Sequence, residues 1–239
     1  RLNPSLMNSG KGIVYLKNGM DFPPVEESLS DGLLAAGGTL SEERLLSAYS
    51  KGIFPWYSDF SPILWYSPPE RCIFRPGKFV VSHSLKQKLR QKTFEVTVDR
   101  SFDRVISQCA SIRRKEEYGT WIVPDMIEAY NALHKAGYAH SVEVWHQGKL
   151  AGGLYGVSLG KAFFGESMFH TVTDASKVAI HYLCTRLFSE GFGFIDAQNE
   201  TPHLLSLGAE VISRGAYLQL LEQALKSPTR KGKWETHPL

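Results

Sequence analysis

The chain has 239 residues, of which 43% are hydrophobic and 21% charged, a composition that excludes wholesale disorder. Lys and Arg total 27 against 24 for Asp and Glu, so the net charge of +3 does not identify a nucleic-acid-binding protein. The three cysteines are far apart, and no apolar run approaches the ~18 residues of a membrane span. These features exclude a disulfide framework, a cysteine-rich zinc site and a transmembrane segment, and we expect a cytoplasmic protein.

The first third of the chain consists of short elements joined by turns. Ser41 can cap a short helix over residues 42–51, and Gly52 can end it. These elements predict a small N-terminal domain over residues 1–92. We set residues 1–11 aside from it as a tag or a disordered segment.

Two segments dense in aromatic residues and proline follow this helix, GIFPWYSD over residues 52–59 and ILWYSPPER over residues 63–71. Proline does not fit the interior of a helix, so we expect shaped loops or edge strands here. The side chains of Trp56, Trp65 and Tyr66 either fill the core of the small domain or form a platform that stacks a flat ligand.

From Phe94 onward, alternating and helical patterns follow one another in a clear order. Strands are predicted over residues 94–98, 140–145, 150–157, 162–169, 192–198 and 209–213, and helices over residues 102–110, 124–136, 174–190, 201–207 and 215–225. The order β-α-α-β-β-β-α-β-α-β is that of the GCN5-related N-acetyltransferase fold, which moves acyl groups onto amines. We therefore predict an α+β protein in which the small N-terminal domain precedes a GCN5-related N-acetyltransferase-like domain over residues 93–239. Its basic tail, residues 226–233, is expected to be mobile.

The loop before the long helix argues against acyl-CoA as the donor. Acetyltransferases of this fold bind the CoA pyrophosphate on a glycine-rich loop at a helix N-terminus, because the backbone must approach the phosphates closely. Residues 169–176, FHTVTDAS, contain no glycine, and Asp174 places a negative charge where the phosphate belongs. The sequence therefore predicts another acyl donor and no CoA cofactor.

Nine short blocks occur in order along most of the chain. They are GIFPW (52–56), LWYSPPER (64–71), GTWI (119–122), AHSVEVW (139–145), GGLYGV (152–157), GESMF (165–169), ASK (175–177), IDAQ (195–198) and HLLSLGAEVISR (203–214). Through them the chain resembles the bacterial leucyl/phenylalanyl-tRNA–protein transferases. Ala197 stands where the family pattern has Cys. Its side chain is expected to point away from Asp196 and Gln198, which makes the change harmless.

The resemblance implies transfer of Leu, Phe or Met from aminoacyl-tRNA to the N-terminal Lys or Arg of a protein, marking that protein for N-end-rule degradation. It implies no cofactor and no metal, because the aminoacyl ester is already activated. His140, His181 and His203 have no second ligand at metal spacing. Two alternatives stay open: an N-acyltransferase of the same fold that uses an acyl-thioester, and a non-catalytic tRNA-binding module.

Asp196 and Gln198 are the predicted catalytic pair. Aminolysis needs a neutral amine, and an α-amino group has a pKa of about 7.7–8, so an ordinary carboxylate can orient the amine and take its proton. The two residues stand two apart on one predicted strand and therefore project from the same face. The alternative is that Asp196 caps the helix that begins at Thr201. We expect replacement of Asp196 to leave the fold intact.

Three further residues are predicted to contact the substrates. Glu166 either recognises the cationic acceptor, holds the amine of the donor amino acid, or forms a buried ion pair with Arg214 or Lys177. By the resemblance, Trp56 and Trp121 contact the terminal adenosine of the tRNA, which suits aromatic side chains because every base offers a π-face.

The donor pocket and the tRNA surface complete the expected site. Leu154, Leu183 and Leu187 align with pocket positions that carry Met or Phe in other members, and their smaller volume is expected to favour Phe; alternatively they are ordinary core. Two basic clusters either receive tRNA phosphates or form solvated faces, namely Lys86, Lys88 and Arg90 on a predicted helix and Arg113, Arg114 and Lys115 in the loop before Trp121.

Overall fold

The computed structural model describes residues 12–112 and 122–236. Within them a small sheet has four strands in the spatial order β1-β2-β4-β3: Val14–Leu16 (β1), Leu33–Gly37 (β2), Phe54–Pro55 (β3) and Leu64–Tyr66 (β4). Strands β1 and β2 are parallel, and the other pairs are antiparallel.

The larger sheet has seven described strands in the order β11-β5-β10-β9-β8-β7-β6. In chain order they are Glu70–Phe74 (β5), Glu95–Val98 (β6), Ala139–His146 (β7), Lys149–Leu159 (β8), Ala162–His170 (β9), Phe194–Gln198 (β10) and Glu210–Ser213 (β11). Its pairs are antiparallel, apart from the parallel pair β9–β10.

The described helices connect these strands. They are Glu42–Ser50 (α1), His83–Arg90 (α2), Phe102–Ser111 (α3), Pro124–Lys135 (α4), Ala175–Ser189 (α5), Pro202–Ser206 (α6) and Arg214–Leu225 (α7). The hydroxyl of Ser41 accepts a hydrogen bond from the Arg44 amide, so the predicted cap of α1 is confirmed. The predicted α+β class and the order of elements from β6 to β11 are confirmed as well.

The meander β7-β8-β9 follows directly from its turns. Gln147 and Gly148 both have positive φ, 50° and 73°, the combination that a two-residue hairpin turn requires. Gly160, with a φ of 55°, serves the next turn. A Cβ at Gly156 would lie 2.2 Å from the carbonyl oxygen of Phe164, so only glycine allows β8 and β9 to approach here.

Strand β5 departs from the expected division of the chain at residue 92. It lies within residues 1–92 yet pairs with β10 and β11 of the larger sheet. The chain therefore leaves the smaller sheet after Tyr66, before the expected boundary. The pairing partners of β5 lie more than 100 residues downstream, so no local pattern indicated this pairing.

Two hydrophobic cores lie on opposite faces of the larger sheet. One core joins the small sheet and helices α1, α3, α4 and α7, with Trp65, Tyr130 and Tyr217 among its buried side chains. The other packs α5 against the opposite face. Adjacent residues such as Leu154 and Tyr155 belong to different cores, as the alternation of a strand requires.

The C-terminal segment packs on the domain through Trp234, directly after the residues 226–233 that are expected to be mobile. Trp234 is 3% exposed, and its backbone N–H donates to Asp99 Oδ2 at 2.7 Å. The indole stacks on His140 with ring centroids 3.7 Å apart, and the Arg230 guanidinium lies over its ring. The polar composition of this segment suggested solvent exposure, but one buried tryptophan anchors it.

Candidate active site

A cavity of about 350 Å³ opens where the parallel strands β9 and β10 part. The two strands are paired only from Ala162 and Phe194 to Phe164 and Asp196, and the residues after these pairs line the cavity. Helices α5 and α6 and the side chain of Trp56 close it on other sides. The cavity therefore lies where the sheet opens, and residues of both strands line it.

Most of the residues that line the cavity are apolar. Its lining includes two of the predicted pocket residues, Leu154 and Leu183, and further side chains that sequence reasoning did not name: Phe74, Phe163, Met168, Ile180, Ile195 and Leu204. Leu187 is fully buried in the core and does not belong to the lining. Phe74 escaped prediction because it lies on β5, which the sequence assigned to the other domain.

Asp196 is completely buried in an ion pair with Arg71. Arg71 donates from Nη2 to Oδ2 at 2.9 Å and from Nε to both oxygens at 3.2 Å. Tyr217 donates its hydroxyl to Oδ2 at 2.8 Å, and the backbone N–H of Gln198 donates to Oδ1 at 2.8 Å. Both oxygens of Asp196 are therefore occupied by donors of the protein itself. Sequence reasoning missed Arg71, because its partner lies 125 residues away.

Gln198 reaches the cavity through an irregularity of β10. The pairing with β5 shifts between Asp196 and Gln198, and Gln198 has a positive φ of 62°. Its side-chain Nε2 donates to Glu166 Oε1 at 3.1 Å. The structure thus brings the predicted pair together at one end of the cavity, with a bulge in place of regular strand alternation.

Glu166 lies on β9 at the junction of the apolar cavity and the polar groups. The residue is 6% exposed, and its Oε1 also accepts a hydrogen bond from the Tyr49 hydroxyl, which in turn contacts the Tyr130 hydroxyl. The other oxygen, Oε2, is buried and has no hydrogen-bond partner among the described residues. Burial raises the pKa of Glu166 to about 8, while the hydrogen bond from Tyr49 lowers it and Asp196 raises it.

The alternative ion pairs of Glu166 are excluded by the structure. Arg214 donates to Ser28 and to the carbonyl oxygen of Ser67, at 2.6 and 2.7 Å. Lys177 pairs with Asp174 at 2.9 Å. Glu166 is therefore held by uncharged donors, and its charge is not neutralised by either cation.

Trp56 and Trp65 lie in different environments, one at the cavity and one in the core. Trp56 is 38% exposed, lines the cavity and contacts Tyr66 edge to face, with ring centroids 5.6 Å apart. Trp65 is fully buried and donates its indole N–H to the carbonyl oxygen of Gly37. Trp56 thus has a free surface at the cavity, whereas Trp65 fills the core. The predicted partner Trp121 lies outside the described residues.

Of the two predicted basic clusters, the structure describes the one on helix α2. Lys86 and Arg90, four residues apart, are exposed on one face, and Leu85 anchors the helix to the core. Lys88 is partly buried, and its ammonium lies 5.8 Å from the Phe94 ring. The other predicted cluster, Arg113, Arg114 and Lys115, lies outside the described residues.

The parts of the chain that the structure describes hold neither a candidate metal site nor a membrane-spanning helix. In residues 12–112 and 122–236, no three His, Cys, Asp or Glu side chains are grouped to hold a metal ion. None of the described helices is long and apolar enough to cross a membrane.

Comparisons with known proteins match nearly the whole fold. The family model of leucyl/phenylalanyl-tRNA protein transferase matches residues 73–222, and the model of its N-terminal domain matches residues 38–69. A leucyl/phenylalanyl-tRNA–protein transferase of Legionella pneumophila (strain Corby) is 55% identical, covering 89% of this chain and 95% of its own. That of Desulfatibacillum aliphaticivorans is 54% identical, covering 93% and 95%.

Among solved structures, two acetyltransferases of low sequence identity are similar to parts of this chain. An aminoglycoside acetyltransferase from an uncultured soil metagenomic sample has a TM-score of 0.37 and 14% identity, covering 48% of this chain and 84% of its own. A GCN5-related N-acetyltransferase from Kribbella flavida has a TM-score of 0.37 and 12% identity, covering 69% and 58%.

The α+β fold contains an apolar cavity bordered by carboxyl groups. Together with the family matches, this defines the class of the protein, which is an aminoacyltransferase. The chain belongs to the leucyl/phenylalanyl-tRNA protein transferase family.

Proposed function

We propose that this chain transfers Leu, Phe or Met from aminoacyl-tRNA to the α-amine of an N-terminal Lys or Arg, and so marks the acceptor protein for N-end-rule degradation in the cytoplasm. The observation that supports it best is the cavity, in which an apolar chamber meets a cluster of carboxyl groups. A donor side chain and a cationic acceptor need these two environments side by side.

The donor side chain enters the apolar chamber beside Leu154 and Leu183. Hydrophobic pockets discriminate weakly, by about 1–3 kcal/mol per methylene, so Leu, Met and Phe are all accepted. The β-branched side chains of Ile and Val are wide next to the ester and fit poorly.

The tRNA end binds at the exposed face of Trp56, which stacks the terminal adenine. Lys86 and Arg90, with Lys88 beside them, receive acceptor-stem phosphates. Trp121 and the cluster Arg113, Arg114 and Lys115, which lie outside the described residues, are proposed to contact the same tRNA.

The acceptor enters over the carboxyl groups. Glu166, Asp196 and Glu200 line the cavity, and none of the described lining residues is Lys, Arg or His. Arg71 balances the charge of Asp196, whereas Glu200 is exposed at the rim. The exposed carboxylate of Glu200, which no cation of the described lining balances, favours a cationic side chain and disfavours an acidic one.

Gln198 and Asp196 have different tasks in this proposal. The Gln198 amide donates to Glu166, which leaves its carbonyl oxygen to accept an N–H of the incoming amine. Asp196 holds Arg71 and the bulged end of β10, and thereby positions Gln198. Asp196 is thus a positioning residue, since its oxygens are already occupied.

One assay tests the proposal against its alternatives. The chain is incubated with radiolabelled leucyl-tRNA and an Arg-initiated peptide, with an Ala-initiated peptide as control. Transfer to the Arg peptide alone is the expected result. Binding of tRNA without transfer identifies a tRNA-binding module, and transfer only from an acyl-thioester identifies the other alternative.

A further inference from the structure

The proposed reaction needs a group that takes a proton from the acceptor amine, and the cavity offers two buried carboxyl groups for it. Asp196 and Glu166 lie on the adjacent strands β10 and β9, on either side of Gln198. Their hydrogen bonding differs, and this difference decides which of them can accept a further proton donor.

Asp196 has no capacity left for a substrate. Its two oxygens accept hydrogen bonds from Arg71, from the Tyr217 hydroxyl and from the backbone N–H of Gln198. An amine could reach these oxygens only after one of the donors had moved. If that donor were Arg71, its fully buried guanidinium would be left without a partner, which is costly.

Glu166 has one oxygen fixed and one unused. Oε1 accepts from Tyr49 and Gln198, which orients the carboxyl group. Oε2 is shielded from solvent and has no partner, although the residue lines the cavity. A buried oxygen without a partner is costly, and a donor supplied by the substrate would satisfy it.

We infer that Oε2 of Glu166 is the atom that takes the proton from the acceptor amine. This inference rests on the proposed function and deepens it. The neutral amine nitrogen attacks the ester carbonyl carbon, and a C–N bond forms while an N–H proton moves to Oε2. As the bond between the carbonyl carbon and the 3′-oxygen breaks, the same proton passes to that oxygen, which leaves as a hydroxyl. Glu166 ends the cycle as the carboxylate.

Glu166 is surrounded by groups that are expected to keep their charge state near neutral pH, whereas Glu166 itself is expected to titrate. They are Tyr49 of α1, Tyr130 of α4, Tyr155 of β8, Arg71 of β5, and Asp196 and Gln198 of β10. Burial raises the pKa values of the three tyrosines well above the usual value, so they stay protonated. The charge of Arg71 is matched by Asp196.

The pKa of Glu166 and that of the free acceptor ammonium both lie near the working pH. Burial raises the pKa of Glu166 to about 8, and a free α-amino group has a pKa of about 7.7–8. A base whose pKa is near that of its partner and near the working pH is the most effective.

The pH dependence of kcat/KM follows from this pairing. The productive encounter needs a neutral amine and an ionised Glu166, so two protons must be lost as the pH rises toward 8. The logarithm of kcat/KM is therefore expected to rise with a limiting slope of two below pH 7. Without a base at Glu166 only the amine titrates, and the slope becomes one.

The test measures transfer from leucyl-tRNA to an Arg-initiated peptide between pH 5.5 and 8.5. For Glu166→Gln we expect kcat to fall by roughly 10²–10⁴-fold and the slope to change from two to one. The control Glu128→Gln, on the exposed face of α4, keeps the rate and slope of the wild type. Near-wild-type turnover by Glu166→Gln, or a slope of one in the wild type, would overturn the inference.

A second variant keeps the test independent of the folding of Glu166→Gln. Tyr49→Phe removes a hydrogen bond that lowers the pKa of Glu166, so its pH profile is expected to shift to higher pH with the slope of two retained. An unshifted profile contradicts the role of Glu166. A wild type that transfers nothing at any pH instead contradicts the proposed function.

Discussion

The described residues form two buried carboxylate clusters, and their comparison separates structural from chemical roles. Asp99 accepts from His140 Nδ1 at 2.7 Å, from the Ser141 amide at 2.9 Å and from the Trp234 amide at 2.7 Å. At the cavity, Asp196 is equally occupied, but its neighbour Glu166 retains a free oxygen. Burial and hydrogen bonding of an aspartate therefore do not indicate catalysis, and the two clusters differ in the unpartnered oxygen of Glu166.

The first prediction breaks the cavity cluster at its ion pair. Asp196→Ala leaves the buried guanidinium of Arg71 without its partner, so we expect the free energy of unfolding to fall by about 3–5 kcal/mol. Urea unfolding followed by circular dichroism measures this change. A loss below about 1 kcal/mol, as for an exposed pair, would contradict the structure and restore the expectation that the fold is indifferent to Asp196.

The second prediction sharpens the comparison at the other cluster. Trp234→Ala removes a buried indole from the core and frees the C-terminal segment, so we expect a loss of about 3 kcal/mol in unfolding free energy. Transfer under native conditions is expected to stay at the wild-type rate, because Trp234 does not line the cavity. An unchanged unfolding curve would show that the segment does not stabilise the domain.

The third and smallest effect concerns the pH dependence of the Asp99 cluster. Burial lowers the pKa of His140 below its usual value, against the effect of Asp99. The unfolded chain therefore binds more protons near pH 6, and stability is expected to fall as the pH drops below about 6.5. His140→Asn loses less stability than the wild type between pH 7 and pH 5, as measured by urea unfolding. His83→Asn, on the exposed surface of α2, is the matched control, and an identical dependence in all three proteins would contradict the interpretation.

Local patterns predicted the order of elements, because helix caps, hairpin turns and alternation act over a few residues. Non-local features were not predictable in this way. The pairing of β5 with β10, the ion pair of Arg71 with Asp196 and the docking of Trp234 all join residues more than 100 positions apart. The bulge before Gln198 depends on the positive φ of Gln198 itself. Glutamine seldom adopts a positive φ, so the sequence did not indicate the bulge.

The candidate site was predicted in part. Leu154 and Leu183 line the cavity, while Leu187, one helical turn beyond Leu183, lies in the core. Spacing by four places both helix residues on one face but does not say how deep the cavity extends along it. The division of roles between Asp196 and Glu166 needed the hydrogen-bond partners of each oxygen.

The most direct test of the account is whether the cavity beside Glu166 holds the donor side chain. One tRNA body is charged with Leu or Phe, and transfer rates are compared for the wild type, Leu183→Phe and the core control Leu187→Met. Filling the cavity with a ring is expected to lower the Phe-to-Leu rate ratio by about tenfold or more. This is the size of effect that one methylene has on discrimination in a hydrophobic pocket. The control is expected to keep the wild-type ratio. An equal ratio in the wild type and Leu183→Phe would contradict the central claim that this cavity is the donor pocket.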